Sequence, residues 1–395
     1  MEVEILKFDH FGRGIAKNND KVIFVNNALP NEIVKIKIIK EKKYFCEAEI
    51  VDVVKENNSR IKPICPFYEK CGGCNFLHTA YDLEKDFKIN KAKELLGRCD
   101  NFYETNYLNY RNKCTLHVKD NKLGFYKEKT HEIVSISYCY LLDDHINKVI
   151  NDLNKININN YDIKKIIIKS NQDKILLDVD GVVNESFINN FNYVDTIISN
   201  KKIIKGTGFL EEVIDKKTFK ITPDAFFQVN KMGLENINKI VQSYLINKNI
   251  KNALDLYSGT GLWGILISDN VKNITAIEIN KEACENAMDN LLKNNITNIK
   301  IINGDVKNYI DNFKDIDLVI TDPPRSGLDK KTIDYLKKIK SKYFIYISCD
   351  MLTLKRDLND LEDIYQIEAI NLVDMFKRTY HVECVCLLSR KTVDK

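Results

Sequence analysis

Three sets of residues in this chain have types and spacings that could do chemistry. The first is a thiol with a carboxylate. Cys349 ends a strand-like apolar run, Tyr343-Phe344-Ile345-Tyr346-Ile347, within Ser348-Cys349-Asp350. In an open parallel α/β sheet the strand C-terminal ends converge on the ligand crevice. A thiolate delivered there would act as nucleophile and then as leaving group; the alternative is a small apolar packing residue. Glu383, in His381-Val382-Glu383, would lie on another terminal strand of the same sheet. It could meet the thiol over a bound substrate and take a proton; the alternative is a surface charge beside His381.

The second set is the glycine loop Gly259-Thr260-Gly261-Leu262-Trp263-Gly264, after the strand Ala253-Leu254-Asp255-Leu256-Tyr257. With Glu278 ending the next strand, the pattern fits dinucleotide and adenosyl binding alike, the acid gripping ribose hydroxyls in either case. Three details favour S-adenosylmethionine over NAD. Asp255 lies inside the first strand, where it can orient the loop's amides. Asp305, in Asn303-Gly304-Asp305, follows the third strand, where an adenine edge would be. One mononucleotide-type half is visible, and Asp322-Pro323-Pro324-Arg325 follows the fourth strand, Ile316-Asp317-Leu318-Val319-Ile320.

The third set is Cys65-x5-Cys71-Gly72-Gly73-Cys74. Three thiols in a short flexible loop can wrap one metal centre, and thiolates select zinc or an iron–sulfur cluster, each usually with four ligands. Cys139, in Ser137-Tyr138-Cys139, is the fourth ligand expected. The chain has 11 cysteines, an odd number, which argues against a disulfide framework.

These groups need elements to hold them. The chain has 395 residues and a hydrophobic fraction of 44%, enough for two or three domains with real cores. Net charge is only +4, so bulk charge carries no argument for nucleic acid; a local basic face would be needed. No apolar run is long enough for a membrane span and Met1-Glu2-Val3-Glu4 has no signal layout, so a cytoplasmic location is expected.

Residues 1–57 read as short strands: Val3 to Phe8, Val22 to Val25, Ile33 to Ile38 and Phe45 to Val54, with a turn at Asp9-His10-Phe11-Gly12-Arg13-Gly14. Such spacing suggests a small OB-like barrel, often an oligonucleotide binder. Lys35, Lys37, Lys40, Lys42 and Lys43 add local positive charge, or simply form a solvated strand face. Residues 58–215 form a central α+β region with the cysteine loop, a helix-like stretch from Tyr81 to Leu96, and strands near 115–118, 123–126, 166–169 and 174–179. From 216 to 395 strands alternate with helices, which implies a parallel, doubly wound α/β sheet.

Together these motifs resemble the RNA (uracil-5-)-methyltransferases, in particular the iron–sulfur-containing branch that acts on 23S ribosomal RNA. The resemblance covers nearly the whole chain. It includes Phe11-Gly12-Arg13-Gly14-Ile15-Ala16 in the barrel (a TRAM domain in that family), the cysteine quartet, Tyr110-Arg111-Asn112-Lys113 and Gly124-Phe125-Tyr126. Phe226-Phe227-Gln228-Val229-Asn230, Asp255 to Gly261, Asp322-Pro323-Pro324-Arg325-x-Gly327, Ser348-Cys349-Asp350 and His381-Val382-Glu383 complete it.

The resemblance implies a TRAM barrel, a central domain and a Rossmann-like class I methyltransferase domain. It also implies a [4Fe-4S] cluster on Cys65, Cys71, Cys74 and Cys139, and S-adenosylmethionine held by Gln228, Tyr257, Glu278 and Asp322, with Asp305 as a further contact. Cys349 would be the nucleophile that adds to uracil C6, and Glu383 the base that removes the C5 proton, giving 5-methyluridine. The target base would have to be flipped from its stack. The partner implied is 23S ribosomal RNA, with no membrane, no obligate protein partner and a monomer as the default. The same chemistry on a transfer-RNA uridine, or a non-catalytic RNA-binding iron–sulfur protein, are the alternatives. A radical enzyme is disfavoured because its usual C-x3-C-x2-C spacing is absent. One departure from the family is Met351, where many members have proline after the nucleophile motif; altered loop stiffness is expected, not lost chemistry.

Overall fold

The computed structural model describes residues 1–18, 21–120, 122–128, 130–171 and 173–391. Residues 392–395 of the third sequence segment lie outside the described residues. The chain forms two compact bodies. The smaller takes Met1–Gly97, Tyr126–Val134 and Phe376–His381; the larger takes Arg98–Phe125, Ser135–Met375 and the chain from Val382.

In the smaller body a six-stranded sheet has the order Glu2–Glu4, Ile33–Glu41, Phe45–Lys55, Lys21–Val25, Gly14–Asn18, Lys7–Phe8. The run from Val3 to Phe8 is therefore two strands, paired at opposite edges of the sheet. Only Ile5 and Leu6 separate them, so the sheet must curl until its edges meet. Ile5 N donates to Glu32 O (2.9 Å) and Leu6 N to Ile15 O (2.8 Å) where it closes. Alternate residues then face inward, among them Val3, Ala16, Ile23, Val25, Val34 and Ala48. Asp9 builds the first turn, accepting from Phe11 N (2.9 Å), Arg13 N (2.8 Å) and Arg13 Nε (2.7 Å). Gly12 sits at φ +79°, and a Cβ there would come within 2.6 Å of the Phe76 ring. The lysine ridge is partly offset by acids, Lys35 facing Asp52 (3.5 Å) and Lys40 facing Glu47 (3.9 Å).

The expected helix spans Tyr81–Leu96 and ends at Gly97 in a left-handed cap (φ 78°). Its Glu84 and Lys88, one turn apart, are fully buried. Glu84 accepts from Lys88 Nζ (2.6 Å), from Arg378 N (2.7 Å) and from Arg378 Nη1 (3.2 Å). The Arg378 guanidinium also donates to the carbonyls of Phe76 (3.0 Å) and Thr79 (3.0 Å). Removing one member of such a buried ionic group strands the others in a low dielectric.

The larger body is built on an eight-stranded sheet. Its strands are β1 (Asn101–Tyr103), β2 (Ile250–Leu256), β3 (Val271–Glu278), β4 (Ile299–Asn303), β5 (Leu318–Thr321), β6 (Tyr343–Ser348), β7 (Tyr365–Val373) and β8 (Glu383–Arg390). The order is β4-β3-β2-β5-β6-β8-β7-β1. Strands β2 to β6 are parallel, as the alternating pattern requires. Strand β8 runs antiparallel between β6 and β7, so the sheet is mixed and not the purely parallel one expected. The central strands are buried on both faces and read as continuous apolar runs, Phe344 to Ile347 being an example.

Five helices belong to this layer: α1 (Lys231–Leu245), α2 (Leu262–Ile267), α3 (Lys281–Lys293), α4 (Lys330–Ile339) and α5 (Met351–Leu361). Asn230, Asn280, Asp329 and Asp350 cap four of them through side-chain oxygens. A second sheet contains the neighbouring strands Lys113–Lys119, Lys165–Ser170, Ile175–Asp180, Thr196–Ser199 and Lys202–Lys205. Among the described residues no helix is long and apolar enough to cross a membrane.

The buried ionic group gives a direct prediction. Glu84→Ala should cost the smaller body about 3–5 kcal/mol, seen as lost hydrogen-exchange protection on the helix Tyr81–Leu96. Protection within about 1 kcal/mol of wild type would show that the group does not hold this helix in place.

Candidate active site

The parallel strands β2 and β5 are neighbours, yet the chain proceeds outward from them in opposite directions, which makes their C-terminal ends the switch point of the sheet. The sequence-predicted side chains gather around the loops leaving those ends. Asp255, fully buried in β2, accepts from Gly264 N (2.8 Å) across the glycine loop. A Cβ on Gly264 would lie 3.0 Å from that carboxylate oxygen, which is why glycine suits the position. Tyr257 leaves β2 at φ +60° and its hydroxyl donates to Asp329 Oδ2 (3.1 Å). Glu278, the last residue of β3, accepts from Gly259 N (2.9 Å) and Asn280 N (2.7 Å). The acid expected to grip a ribose thus also shapes the loop. Asp305 follows β4, accepts from Lys307 N (3.2 Å) and pairs with Lys307 Nζ (2.9 Å).

Asp322 follows β5. Its Oδ2 accepts from Trp263 Nε1 (3.1 Å) and Gln228 Nε2 (3.4 Å). Gln228 is buried, in the stretch leading into α1. That stretch is fixed from several sides: Lys169 Nζ donates to Thr222 O (2.6 Å) and Ala225 O (2.9 Å), and Asn112 N donates to Val229 O (3.0 Å). Asn230 caps α1 and donates to Thr105 Oγ1 (3.1 Å) and Met375 O (3.0 Å).

Cys349 and Glu383 meet through register. In the antiparallel pair β6–β8, Ser348 is opposite Cys384, the last pair of the ladder, and Cys349 and Glu383 are the residues just beyond it on the two strands. The reversed direction of β8 puts its first residue beside the end of β6. Glu383 is buried, and among the described residues nothing hydrogen-bonds its Oε2. Burial raises its carboxyl well above the ordinary range, the charge of Asp322 adds to this, and Arg325 opposes it. Burial likewise raises Asp322, with the Trp263 and Gln228 hydrogen bonds pulling the other way. The Cys349 thiol is pushed up to about 12, by burial first and then by Glu383, while Arg325 lowers it through its charge and a hydrogen bond. A half-buried thiol and two acids therefore act on one another, with the exposed Arg325 guanidinium acting on both Cys349 and Glu383. The arrangement can deliver a thiolate and can hold or accept a proton beside it.

Met351 is the first residue of α5, with its side chain buried, and Asp350 caps the helix by accepting from Leu352 N (2.9 Å) and Thr353 N (3.0 Å). Proline is suited to that first position because its missing N–H would have no intrahelical partner. Here the aspartate cap fixes the turn.

The cysteine loop lies in the smaller body. Tyr68–Cys71 forms one short helical turn that ends at Gly72 in a left-handed conformation. Cys65, Cys71 and Cys74 are half-buried there, and burial raises the Cys65 thiol. Cys139 belongs to the larger body, where buried Asn147 pins its backbone through Cys139 N (2.8 Å) and Cys139 O (3.0 Å). Among the described residues no group of three or more His, Cys, Asp or Glu side chains is arranged to hold a metal ion.

Sequence reasoning gave no role to Trp263 or Asn230. Trp263 is the only tryptophan of the chain and sits inside the glycine loop, a signal that could have drawn attention to it. Arg325 was visible only as part of a motif.

The sequence pattern of the family described as tRNA (Uracil-5-)-methyltransferase matches residues 88–391, and that of the TRAM domain matches residues 1–51. An uncharacterized RNA methyltransferase of Clostridium acetobutylicum is 31% identical over 452 aligned residues, covering 100% of this chain and 97% of that protein. One from Aquifex aeolicus is 29% identical, covering 99% of each. Among solved structures, the Pyrococcus abyssi tRNA (uracil-54, C5)-methyltransferase in complex with S-adenosyl-L-homocysteine superposes with a TM-score of 0.82. It is 24% identical, with 98% of this chain and 100% of that one covered, and the likeness establishes the fold.

Asp255 supplies a pH prediction. Burial lifts its carboxyl from 3.8 to about 7, so the folded state holds the proton more tightly than the unfolded chain does. Its stabilising contribution is full below about pH 4 and is lost as pH rises through about 7, a change of roughly 4 kcal/mol at most. Asp255→Asn should flatten the urea-midpoint profile between those limits relative to wild type. Parallel profiles for the two proteins would refute the assignment.

Proposed function

The chain belongs to the tRNA (uracil-5-)-methyltransferase family and is an RNA methyltransferase with an N-terminal TRAM domain, and from that premise we propose that it methylates C5 of a specific uridine in 23S ribosomal RNA. The methyl donor we propose is S-adenosylmethionine, which supplies an electrophilic methyl group on a sulfonium. Gln228, Tyr257, Glu278, Asp305 and Asp322 are the residues we assign to holding it. The Asp255–Gly264 and Glu278–Gly259 bonds support this reading, because they order the glycine loop before any ligand arrives.

The single observation that carries the mechanism is that Cys349 and Glu383 are the residues immediately beyond Ser348–Cys384, the last pair of the β6–β8 ladder. C5 of uracil is a poor nucleophile. As thiolate, Cys349 adds to C6, forming an S–C6 bond and pushing the ring electrons onto the C5–C4–O4 enolate. The C5 electron pair then forms the bond to the methyl carbon, and the S–CH3 bond of the donor would break with its electrons staying on sulfur, which would leave as a neutral thioether. Glu383 removes the C5 proton, the C5–C6 double bond re-forms, and Cys349 leaves with the electrons of the S–C6 bond. Arg325 favours the thiolate, and the N-terminal end of α5, which starts two residues after Cys349, adds a favourable dipole.

We also retain a [4Fe-4S] cluster on Cys65, Cys71, Cys74 and Cys139 as part of the proposal. Its support is the thiol-only donor set and the loop spacing; no step of the reaction is routed through it. Iron and acid-labile sulfide in anaerobically purified protein would support it, and anaerobically purified protein holding neither would sink it. The functional division we propose is 1–57 for RNA binding, 58–215 for the cysteine region and 216–395 for methyl transfer, in a cytoplasmic monomer.

A transfer-RNA target is the second reading. It is favoured by the fold likeness to an enzyme that bears the name of a tRNA (uracil-54, C5)-methyltransferase. Mapping 5-methyluridine in ribosomal and transfer RNA from a deletion strain separates the two: the fraction that loses the modification names the target.

Two variants test the chemistry. Cys349→Ala should lower methyl transfer by about 10⁴-fold or more, and full activity would refute covalent catalysis. Glu383→Gln should slow turnover by about 10²–10⁴-fold and accumulate a denaturation-stable protein–RNA adduct. A Glu383→Gln protein that turns over slowly with no such adduct would remove the base assignment.

A further inference from the structure

We propose that Asp357 is a positioning residue for the reaction, tying the loop from Asp322 to Leu328 onto the strand that presents Cys349. The proposal rests on the reading of Cys349 as nucleophile. Helix α5 begins two residues after Cys349, and its positions 353, 356 and 357 share one face. That face grips the loop along its backbone. Thr353 Oγ1 donates to Arg325 O (3.1 Å), and Arg356 Nη2 donates to Ser326 O (2.9 Å) and Leu328 O (3.3 Å).

Asp357 joins three elements at once. Its Oδ2 accepts from Leu328 N (2.8 Å) on the loop and from Tyr346 OH (2.6 Å) on β6, three residues before Cys349. Its Oδ1 accepts from Arg356 Nε (2.9 Å) and Nη2 (2.7 Å) on its own helix. The side chain is 1% exposed. A carboxylate that deep inside is costly unless its bonds are complete, and these four complete them. The loop is shaped for the approach: Gly327 stands at φ +75°, and a Cβ there would lie 2.5 Å from Asp357 Oδ2 and 2.7 Å from Arg356 Nη2.

Arg325 is what the clasp delivers: its carbonyl is held by Thr353 Oγ1 (3.1 Å), and its guanidinium favours the charged forms of Cys349 and Glu383 against burial. A loop released from Asp357 would let the guanidinium drift, and a hydrogen bond fails beyond about 3.5 Å. The thiolate fraction then falls tenfold for each unit its pKa rises.

The test is alkylation of Cys349 by iodoacetamide, resolved by peptide mass mapping between about pH 7 and pH 11, in wild type and Asp357→Asn. The expected result is a profile displaced to higher pH, with about tenfold slower alkylation near pH 8. Methyl-transfer kcat should fall by about tenfold while KM for RNA stays within about twofold. An undisplaced profile overturns the proposal even if kcat falls, as does a lower melting temperature with unchanged alkylation. Should Asp357→Asn fail to fold, Tyr346→Phe removes one bond and should displace the profile in the same direction by less; no displacement overturns the proposal. Alkylation needs neither RNA nor methyl donor. An active Cys349→Ala enzyme would therefore sink the proposed mechanism and with it the role of Asp357 in the reaction, whereas an undisplaced profile in an active enzyme would sink this inference alone.

Discussion

The register between β6 and β8 is the constraint on which the rest of the site depends. Side chains alternate faces along a strand, so a slip of one residue would turn Glu383 to the opposite side of the sheet from the thiol. The register is secured by burial. Phe344 to Ile347 on one strand and Cys384 to Leu388 on the other are buried, and any other pairing would expose part of them. The apolar sheet core thus sets the placement of two polar groups at its rim.

A second consequence of that core is electrostatic. Asp255, Asp322 and Glu383 all lie where burial disfavours their charged forms. Asp255 Oδ1 and Ser258 Oγ are buried with no hydrogen-bond partner among the described residues. The glycine loop is therefore ordered on one side, through Gly264 and Gly259, and left with polar capacity on the other.

Much of this was legible in the sequence, for reasons that can be named. The run ending at Cys349 is apolar on both faces and bounded by polar residues, which marks a central strand. The helix-like stretch from Tyr81 to Leu96 is a helix over those residues, ended by Gly97 in a left-handed cap. Asp255 was expected to orient the glycine loop, and it does so through Gly264. The direction of β8 was not legible, because a period of two is the same for parallel and antiparallel strands. The burial of Glu84 and Lys88 was not legible either. Opposite charges one turn apart ordinarily mark a solvated helix face, and the arginine that changes their meaning is 294 residues away. The double use of Glu278, as loop brace and candidate ribose ligand, needs coordinates to see.

The make-up of the smaller body bears on how the protein is born. Its barrel and helix are complete in sequence by Gly97, yet the hydrogen bonds that Arg378 gives Glu84, Phe76 and Thr79 require a stretch near the chain's end. At synthesis rates of about 5–20 residues per second, the 294 residues between Glu84 and Arg378 take roughly 15–60 s to make. During that interval a nascent barrel waits on the ribosome with its ionic centre incomplete. The N-terminal segment, although first out, completes its ionic centre only once Arg378 has been made, and a truncation between Glu84 and Arg378 would remove that guanidinium.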